Sequence, residues 1–442
     1  MQGAGYLDQV PLPTPARSSR LPRLSVTLPA DVTWKGVRRA AARAALVAAA
    51  VPVATGAALM VADMFRTRRH PLDKPFPTAD PVDNTVGATT TTVYTYGDDL
   101  YEAMLEAIRG ARRYVFFETY IWKGDEVGAR FREALSEAAA RGVDVYVVYD
   151  GFANLVVPSS FFRFGPDIRV LRFPWVRPGV LLSPVRESGR DHRKILVVDD
   201  EVGFVGGYNI GSLYARHWRD THLRLQGPAV WELRNAFVDF WNRWRTPQLP
   251  VLQDVGSTAW LPQLRAARNA PSDLVFPIRN IYLDAIDRAT SHVQITQAYF
   301  IPDREILAAL LGAARRGVDV RVLVPERSNH VVADWLARGH YATLLRGGVR
   351  IFLYTGAMIH AKTATIDGRW STVGTANIDR LSLTGNYEIN LEIVDPDVAA
   401  TLERVFEMDL GNSRELTLDA WESRSRLNKV GERLVSPLAP LL

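Results

Sequence analysis

One eighteen-residue pattern that occurs twice constrains this chain more than any other feature. Residues 192–209 read HRKILVVDDEVGFVGGYN, and residues 360–377 read HAKTATIDGRWSTVGTAN. His192, Lys194, Asp199, Gly206 and Asn209 recur at identical offsets as His360, Lys362, Asp367, Gly374 and Asn377, with Gly207 answered by Thr375. At average amino-acid usage, five fixed positions of this kind coincide by chance about once in several million starts. Two in one chain are a duplication.

ILVV and ATI are short β-prone apolar runs, so each His-x-Lys opens a strand. Alternation along a strand puts His192 with Lys194, and His360 with Lys362, on one face. A turn at Asp199-Asp200 or Asp367-Gly368 leads through a second apolar run to the glycine step and the Asn. The hairpin presents imidazole, ammonium and carboxamide together. That trio suits a phosphoryl group: a nucleophile or proton donor, a point charge and a neutral donor. The chain holds only six lysines, two of which are Lys194 and Lys362, so these positions call for a compact charge rather than solubility.

The repeat extends beyond the motif. A helical pattern at 98–113, an apolar strand at 114–122, a helix over 127–141 closed by Gly142 and a strand at 143–150 return as 280–289, 293–303, 305–316 closed by Gly317, and a strand from 318. RGVDV occurs verbatim at 141–145 and 316–320. This order predicts an α/β fold with parallel strands and helices on the sheet faces. Two like halves about a pseudo-twofold axis bring both His-x-Lys strands to one cleft. Asp220 and Glu388 each lie 28 residues past their histidine, at the start of an alternating strand. A carboxylate there can accept the second ring N–H of a histidine and fix its tautomer. The pairing runs either within a half or across the axis, Asp220 to His360 and Glu388 to His192.

At 442 residues and 47% hydrophobic content the chain accommodates two domains and a tail. Cysteine is absent, which excludes disulfides, thiolate metal sites and a cysteine nucleophile. No His/Asp/Glu cluster has ligand spacing, so neither a metal nor another cofactor is expected. His217, His222, His292, His330 and His340 match no motif position and read as surface or packing residues. A net charge of +5 fits an anionic lipid surface or nucleic acid.

Residues 1–43 read as a flexible basic arm and 44–64 as a candidate transmembrane helix. Residues 44–62 carry no charge, with Lys35, Arg38, Arg39 and Arg43 before them and Arg66, Arg68, Arg69 and Lys74 after. A single anchor, a helix lying in the interface and a cleaved signal peptide are the three readings. Residues 65–92 follow as a linker, 93–245 as the first domain, 246–277 as a connector and 278–442 as the second domain. Between 151 and 191, Phe161, Phe162, Phe164 and Trp175 alternate with Arg163, Arg169, Arg172 and Arg177. This is either a lipid-meeting rim or a strand followed by an ordinary loop.

The doubled stretch resembles the HxKxxxxDxxxxxxG(G/S)xN motifs of the phospholipase D superfamily. The surrounding ETYIW, RDHRKILVVDD, WRDTHLRLQGPAVW, QAYFIPD and GTANIDRLS resemble bacterial cardiolipin synthases. The resemblance covers 93–442 and implies two pseudo-symmetric α/β/α sandwich halves sharing one cleft, preceded by a membrane helix. It implies His192 as nucleophile, forming a phosphohistidine, and His360 as acid and then base. Lys194, Lys362, Asn209 and Asn377 hold the phosphate oxygens, with the Gly207 backbone and Thr375 adding hydrogen bonds. Asp199 and Asp367 complete the catalytic motif, and their place at the turn makes them structural. The implied activity is transfer of a phosphatidyl group between phosphatidylglycerol molecules at a cell membrane, the protein being single-pass or peripheral. Hydrolysis to phosphatidic acid is the alternative. The candidate anchor and the aromatic-arginine rim argue against a nuclease and a nucleic-acid partner.

Overall fold

The verbatim RGVDV segment ends two helices in the same way. Helix Glu126–Ala140 starts at Asp125, whose carboxylate accepts the Gly128 N–H at 3.0 Å; helix Arg304–Arg315 starts at Asp303, which accepts the Ile306 N–H at 2.9 Å. Each closes through a glycine in the left-handed region, Gly142 at φ +92° and Gly317 at φ +89°. The N–H groups of Gly142 and Val143 return to Ala139 and Ala138, and those of Gly317 and Val318 to Ala314 and Ala313. The chain then enters strands Asp144–Asp150 and Asp319–Pro325.

The computed structural model describes residues 38, 54–65, 72–175, 177, 187, 189–257, 261–435 and 437. Two eight-stranded sheets organise them. The first runs in the order Val82–Val86, Thr89–Tyr94, His222–Gln226, Val202–Gly206, Ile195–Val198, Tyr114–Thr119, Asp144–Asp150, Ile168–Phe173. The second runs Leu264–Asn269, Glu388–Val394, Trp370–Gly374, Lys362–Ile366, His292–Gln297, Asp319–Pro325, Arg350–Tyr354, Ser413–Leu416. Seven strands correspond one to one, and each half adds one edge strand of its own. The sheets are mixed: the strand that follows each motif lysine is antiparallel to its neighbour, while the three strands beyond are parallel.

Helices Gly97–Gly110 and Glu126–Ala140 bury one apolar face on the first sheet, and helices Pro277–Arg288 and Arg304–Arg315 do the same on the second. Between the sheets, Leu223, Leu225, Phe237 and Trp241 share a single core with Val373, Ile389, Leu391 and Leu402. The two halves are therefore joined by the hydrophobic effect through their centre and not by a linker alone.

Residues 54–65 form a helix whose Leu59 packs on the second half's core, whereas 44–53, about half of the expected span, lies outside the described residues. Among the described residues no helix is long and apolar enough to cross a membrane. The phenylalanines of the expected rim turn inward: Phe161 and Phe164 pack on Trp122, and Phe162 stacks on Tyr149 with centroids 4.1 Å apart. Arg177 is buried beside Glu187, whereas Arg163, Arg172 and Trp175 stay exposed. Burying large aromatic area outweighs presenting it to solvent.

Candidate active site

Each motif strand is fixed at both ends. At the turn, Asp199 and Asp367 sit at φ +58° and +54°, a conformation that short polar side chains tolerate. The Asp199 carboxylate accepts the backbone N–H groups of Arg112 at 2.7 Å and of Arg113 and Tyr114 at 2.8 Å. The Asp367 carboxylate does the same for Thr290, Ser291 and His292. Burial pushes the Asp367 carboxyl up, but these N–H groups outweigh it and hold it below the usual range. These carboxylates clip the turn to the neighbouring helix–strand junction, at the far end of the strand from the lysine.

At the other end the two halves exchange partners. The His192 N–H donates to the carbonyl of Tyr387 at 3.0 Å, and the His360 N–H to the carbonyl of Arg219 at 2.6 Å. Tyr387 and Arg219 are the residues just before Glu388 and Asp220. The side chains follow the backbones: His192 Nδ1 lies 3.0 Å from Glu388, and His360 Nδ1 lies 2.6 Å from Asp220. Both couples cross between the halves. A ring that donates from Nδ1 carries its lone pair on Nε2.

Small residues make this approach feasible. A Cβ on Gly207 would lie 2.1 Å from Asp220 Oδ1, so only glycine admits that carboxylate. The Gly207 N–H is bonded to the Thr221 carbonyl at 3.0 Å, which corrects its expected role as a phosphate donor. Thr375 is corrected likewise. Its hydroxyl, fully buried, donates to Glu388 at 2.5 Å and so braces an acid instead of meeting a phosphate. Behind Asp220, the buried Arg219 guanidinium forms a two-pronged bond with Asp409, at 2.9 and 2.8 Å.

Each lysine folds onto the carbonyl of its own histidine, Lys194 at 2.6 Å and Lys362 closer still. The Lys362 ammonium also lies 2.9 Å from His360 Nδ1. Burial pushes Lys194 down to about 7 and Lys362 down to about 8. Burial, reinforced by Lys194 and Lys362, holds His192 well below the ordinary imidazole value. Burial and Lys362 hold His360 down to about 3. The acids differ. Burial pushes Asp220 up, but Lys362 and His360 outweigh it and keep it below the usual range; burial pushes Glu388 up to about 7. His360 thus has the more firmly ionised carboxylate behind it.

His192 and His360 open into one cleft of about 880 Å³, together with Asn209 and Asn377. Asn209 accepts the Ile121 N–H at 3.3 Å through its oxygen, leaving its amide donors for the cleft. The Asn377 oxygen is buried without a partner among the described residues. Tyr120 meets the His192 ring edge-on at 4.6 Å, and Trp218 lies 4.8 Å from His360. Tyr120, Trp218, Tyr299, Asp379 and Asn386 line the cleft without having been singled out in the sequence, and His330, read there as a surface or packing residue, lines it too. Their signal was position: Tyr120 lies in ETYIW, and Asp379 two residues past a motif Asn. The second half's wall carries Asp379, Ser382 and Asn386 where the first has Gly211, Tyr214 and Trp218 at the equivalent offset, so the cleft is not symmetric.

Comparison with known proteins agrees with this geometry. The model of the family described as cardiolipin synthase, phospholipase D-like domain, matches residues 104–241 and again 282–410. The chain is 35% identical over 356 residues to cardiolipin synthase A of Pseudomonas fluorescens, covering 78% of this chain and 74% of that protein. It is 32% identical over 367 residues to a cardiolipin synthase of Clostridium perfringens, covering 79% and 76%. The crystal structure of phosphatidylserine synthase from Haemophilus influenzae has the same fold, with a TM-score of 0.62 at 15% identity over 82% of this chain and 95% of that one. With two matched copies of the domain and relatives of this similarity along most of its length, the chain belongs to the cardiolipin synthase, phospholipase D-like family.

Proposed function

We propose that this protein is a phosphatidyltransferase that moves a phosphatidyl group from one phosphatidylglycerol to another, giving cardiolipin and glycerol. The observation that carries this reading is the pair of crossed His–carboxylate couples opening into one cleft. The cardiolipin synthases among its relatives supply the substrate class. The partner is an anionic phospholipid, and the setting is a membrane.

His192 attacks phosphorus through Nε2, and the bond from phosphorus to the glycerol oxygen breaks. His360 gives that oxygen its proton, so glycerol departs and a phosphohistidine remains. The hydroxyl of the incoming phosphatidylglycerol then gives its proton to His360 and attacks phosphorus, breaking the P–N bond and restoring both imidazoles. Lys194, Lys362, Asn209 and Asn377 neutralise and hold the nonbridging oxygens. The two ammonium groups favour neutral imidazoles. A phosphodiester anion between them cancels that field, and His360, with ionised Asp220 behind it, is then the ring that takes up a proton. His192, backed by the weaker Glu388, stays neutral and nucleophilic.

The test is incubation of the purified protein with labelled phosphatidylglycerol and no added metal. Cardiolipin with one equivalent of glycerol is the expected result. Phosphatidic acid as the sole product replaces the transferase with a hydrolase, and cleavage of DNA with neither lipid product removes the lipid reading.

A further inference from the structure

The cleft mouth is apolar, and its apolar surface continues outward. Met60, Met64, Phe152 and Leu381 both line the cleft and stand exposed to solvent. They come from three separate segments: helix 54–65, the turn after strand Asp144–Asp150, and helix Arg380–Thr384. Beyond them the exposure grows. Val61 and Phe65 are more than half exposed on the same helix, and Leu155 and Val156 project from the turn, Val156 at 80%. A helix that packs Leu59 inward while exposing Met60, Val61, Met64 and Phe65 has an apolar face that the fold does not cover.

We infer that helix 54–65 and the turn at 152–156 are the two lips by which the protein seats on an anionic phospholipid leaflet, so that a lipid slides from the leaflet directly into the cleft. This rests on the phosphatidyltransferase reading and adds the surface, the orientation and the entry route. Two further observations fit a leaflet. Arg66, Arg68 and Arg69 follow the helix in sequence, the basic flank that an interfacial helix sets against anionic head groups. Arg190 lies over the Phe152 ring at 4.3 Å, placing a cation at head-group depth beside an apolar side chain at the mouth. The apolar continuity matters chemically. Acyl chains that follow these apolar side chains into the cleft are kept from water there, which lowers the cost of extracting a lipid.

The test uses the full-length chain with Val61→Asp, Phe65→Asp and Val156→Asp combined, residues that do not line the cleft. Each apolar side chain withdrawn from the leaflet contributes about a tenfold factor. Partitioning onto vesicles of phosphatidylglycerol, and turnover of that vesicle lipid, should fall at least a hundredfold. Turnover of a short-chain, monomerically dissolved phosphatidylglycerol should stay within about threefold of the parent. Undiminished use of vesicle lipid by the variant overturns the inference. So does an equal loss on the soluble lipid, which indicates a distorted cleft. A dimer-to-monomer change on light scattering, without loss on vesicles, assigns the lips to a second copy of the chain. If the parent protein turns over neither lipid form, it is the phosphatidyltransferase reading that fails.

Discussion

Asp220→Asn is the most informative single change, because the environment of Asp220 leaves an amide no good arrangement. One oxygen of Asp220 accepts the Thr221 N–H at 2.7 Å, and the other faces His360 Nδ1 at 2.6 Å. Asparagine has one oxygen for two donors. Satisfying Thr221 turns the NH2 toward His360 and forces its proton onto Nε2, the wrong tautomer for a base. Satisfying His360 sets NH2 against the Thr221 N–H. The imidazolium also loses a charge-assisted hydrogen bond of about 1.5–3 kcal/mol, which is a factor of about 10 to 150 in any step where His360 carries the proton. The assay is single-turnover trapping of the phosphoenzyme. With phosphatidylglycerol, whose glycerol alkoxide needs a proton to leave, its formation should slow by that factor. With a p-nitrophenyl phosphatidyl ester, whose leaving group needs none, it should slow less than about threefold. Equal slowing with both donors would refute the assignment of His360 as the acid. Because a weakened nucleophile attacks both donors more slowly, that outcome would exchange the roles of the two histidines.

Three other outcomes follow from buried groups. His222 is fully buried and held down to about 3 by burial, against about 6.5 when unfolded. The unfolded chain takes up its proton first, so stability is complete above pH 6.5 and falls as pH drops toward 3, by up to on the order of 5 kcal/mol. His222→Asn, which copies the equivalent Asn390, should flatten that acid limb in urea titrations at pH 4 and 7; an unchanged limb rules His222 out as its source. Asp199→Ala strands three backbone N–H groups and should cost about 2–4 kcal/mol in unfolding free energy, and a loss under about 0.5 removes the clip argument. Arg219→Met leaves the buried Asp409 unpaired and should cost about 3–5 kcal/mol, most of which returns when Asp409→Leu is added; additive losses contradict the pairing.

The parts of this fold that were legible in the sequence are those with a period or a duplicated signal. Helices Glu126–Ala140 and Arg304–Arg315 announced themselves through apolar spacing and the shared RGVDV exit, and the structure places their ends within a residue or two. The positions of Asp220 and Glu388 beside the histidines were equally visible. Which acid serves which histidine was not, because a spacing of 28 residues is the same for pairing within or across halves. Sheet packing decides that, and it acts between residues 140 and 196 apart. Thr375 misled for a related reason. A hydroxyl one residue past a glycine reads as a phosphate donor, and only the arrival of Glu388 from the neighbouring strand shows it to be engaged. Helix Val331–Arg346 had no counterpart in the first half to flag it, yet its start brings Val331 and Val332 to the cleft. The choice between a rim and a strand with its loop stayed open at 161–177 because alternation with arginine says nothing about which side faces the core; the strand forms at Ile168–Phe173.

The exchange of partners also governs how the molecule can move. Each histidine belongs to one half in chain and to the other in bonding, through both its N–H and its ring. Any hinge that parted the halves by more than a hydrogen bond's length would disarm both rings at once. Opening by domain separation and being ready to react are thus mutually exclusive. Substrate traffic falls to the periphery, to the mouth of the cleft, while the centre stays shut. A point change that loosens the centre should therefore act on both chemical steps together, whichever half it falls in.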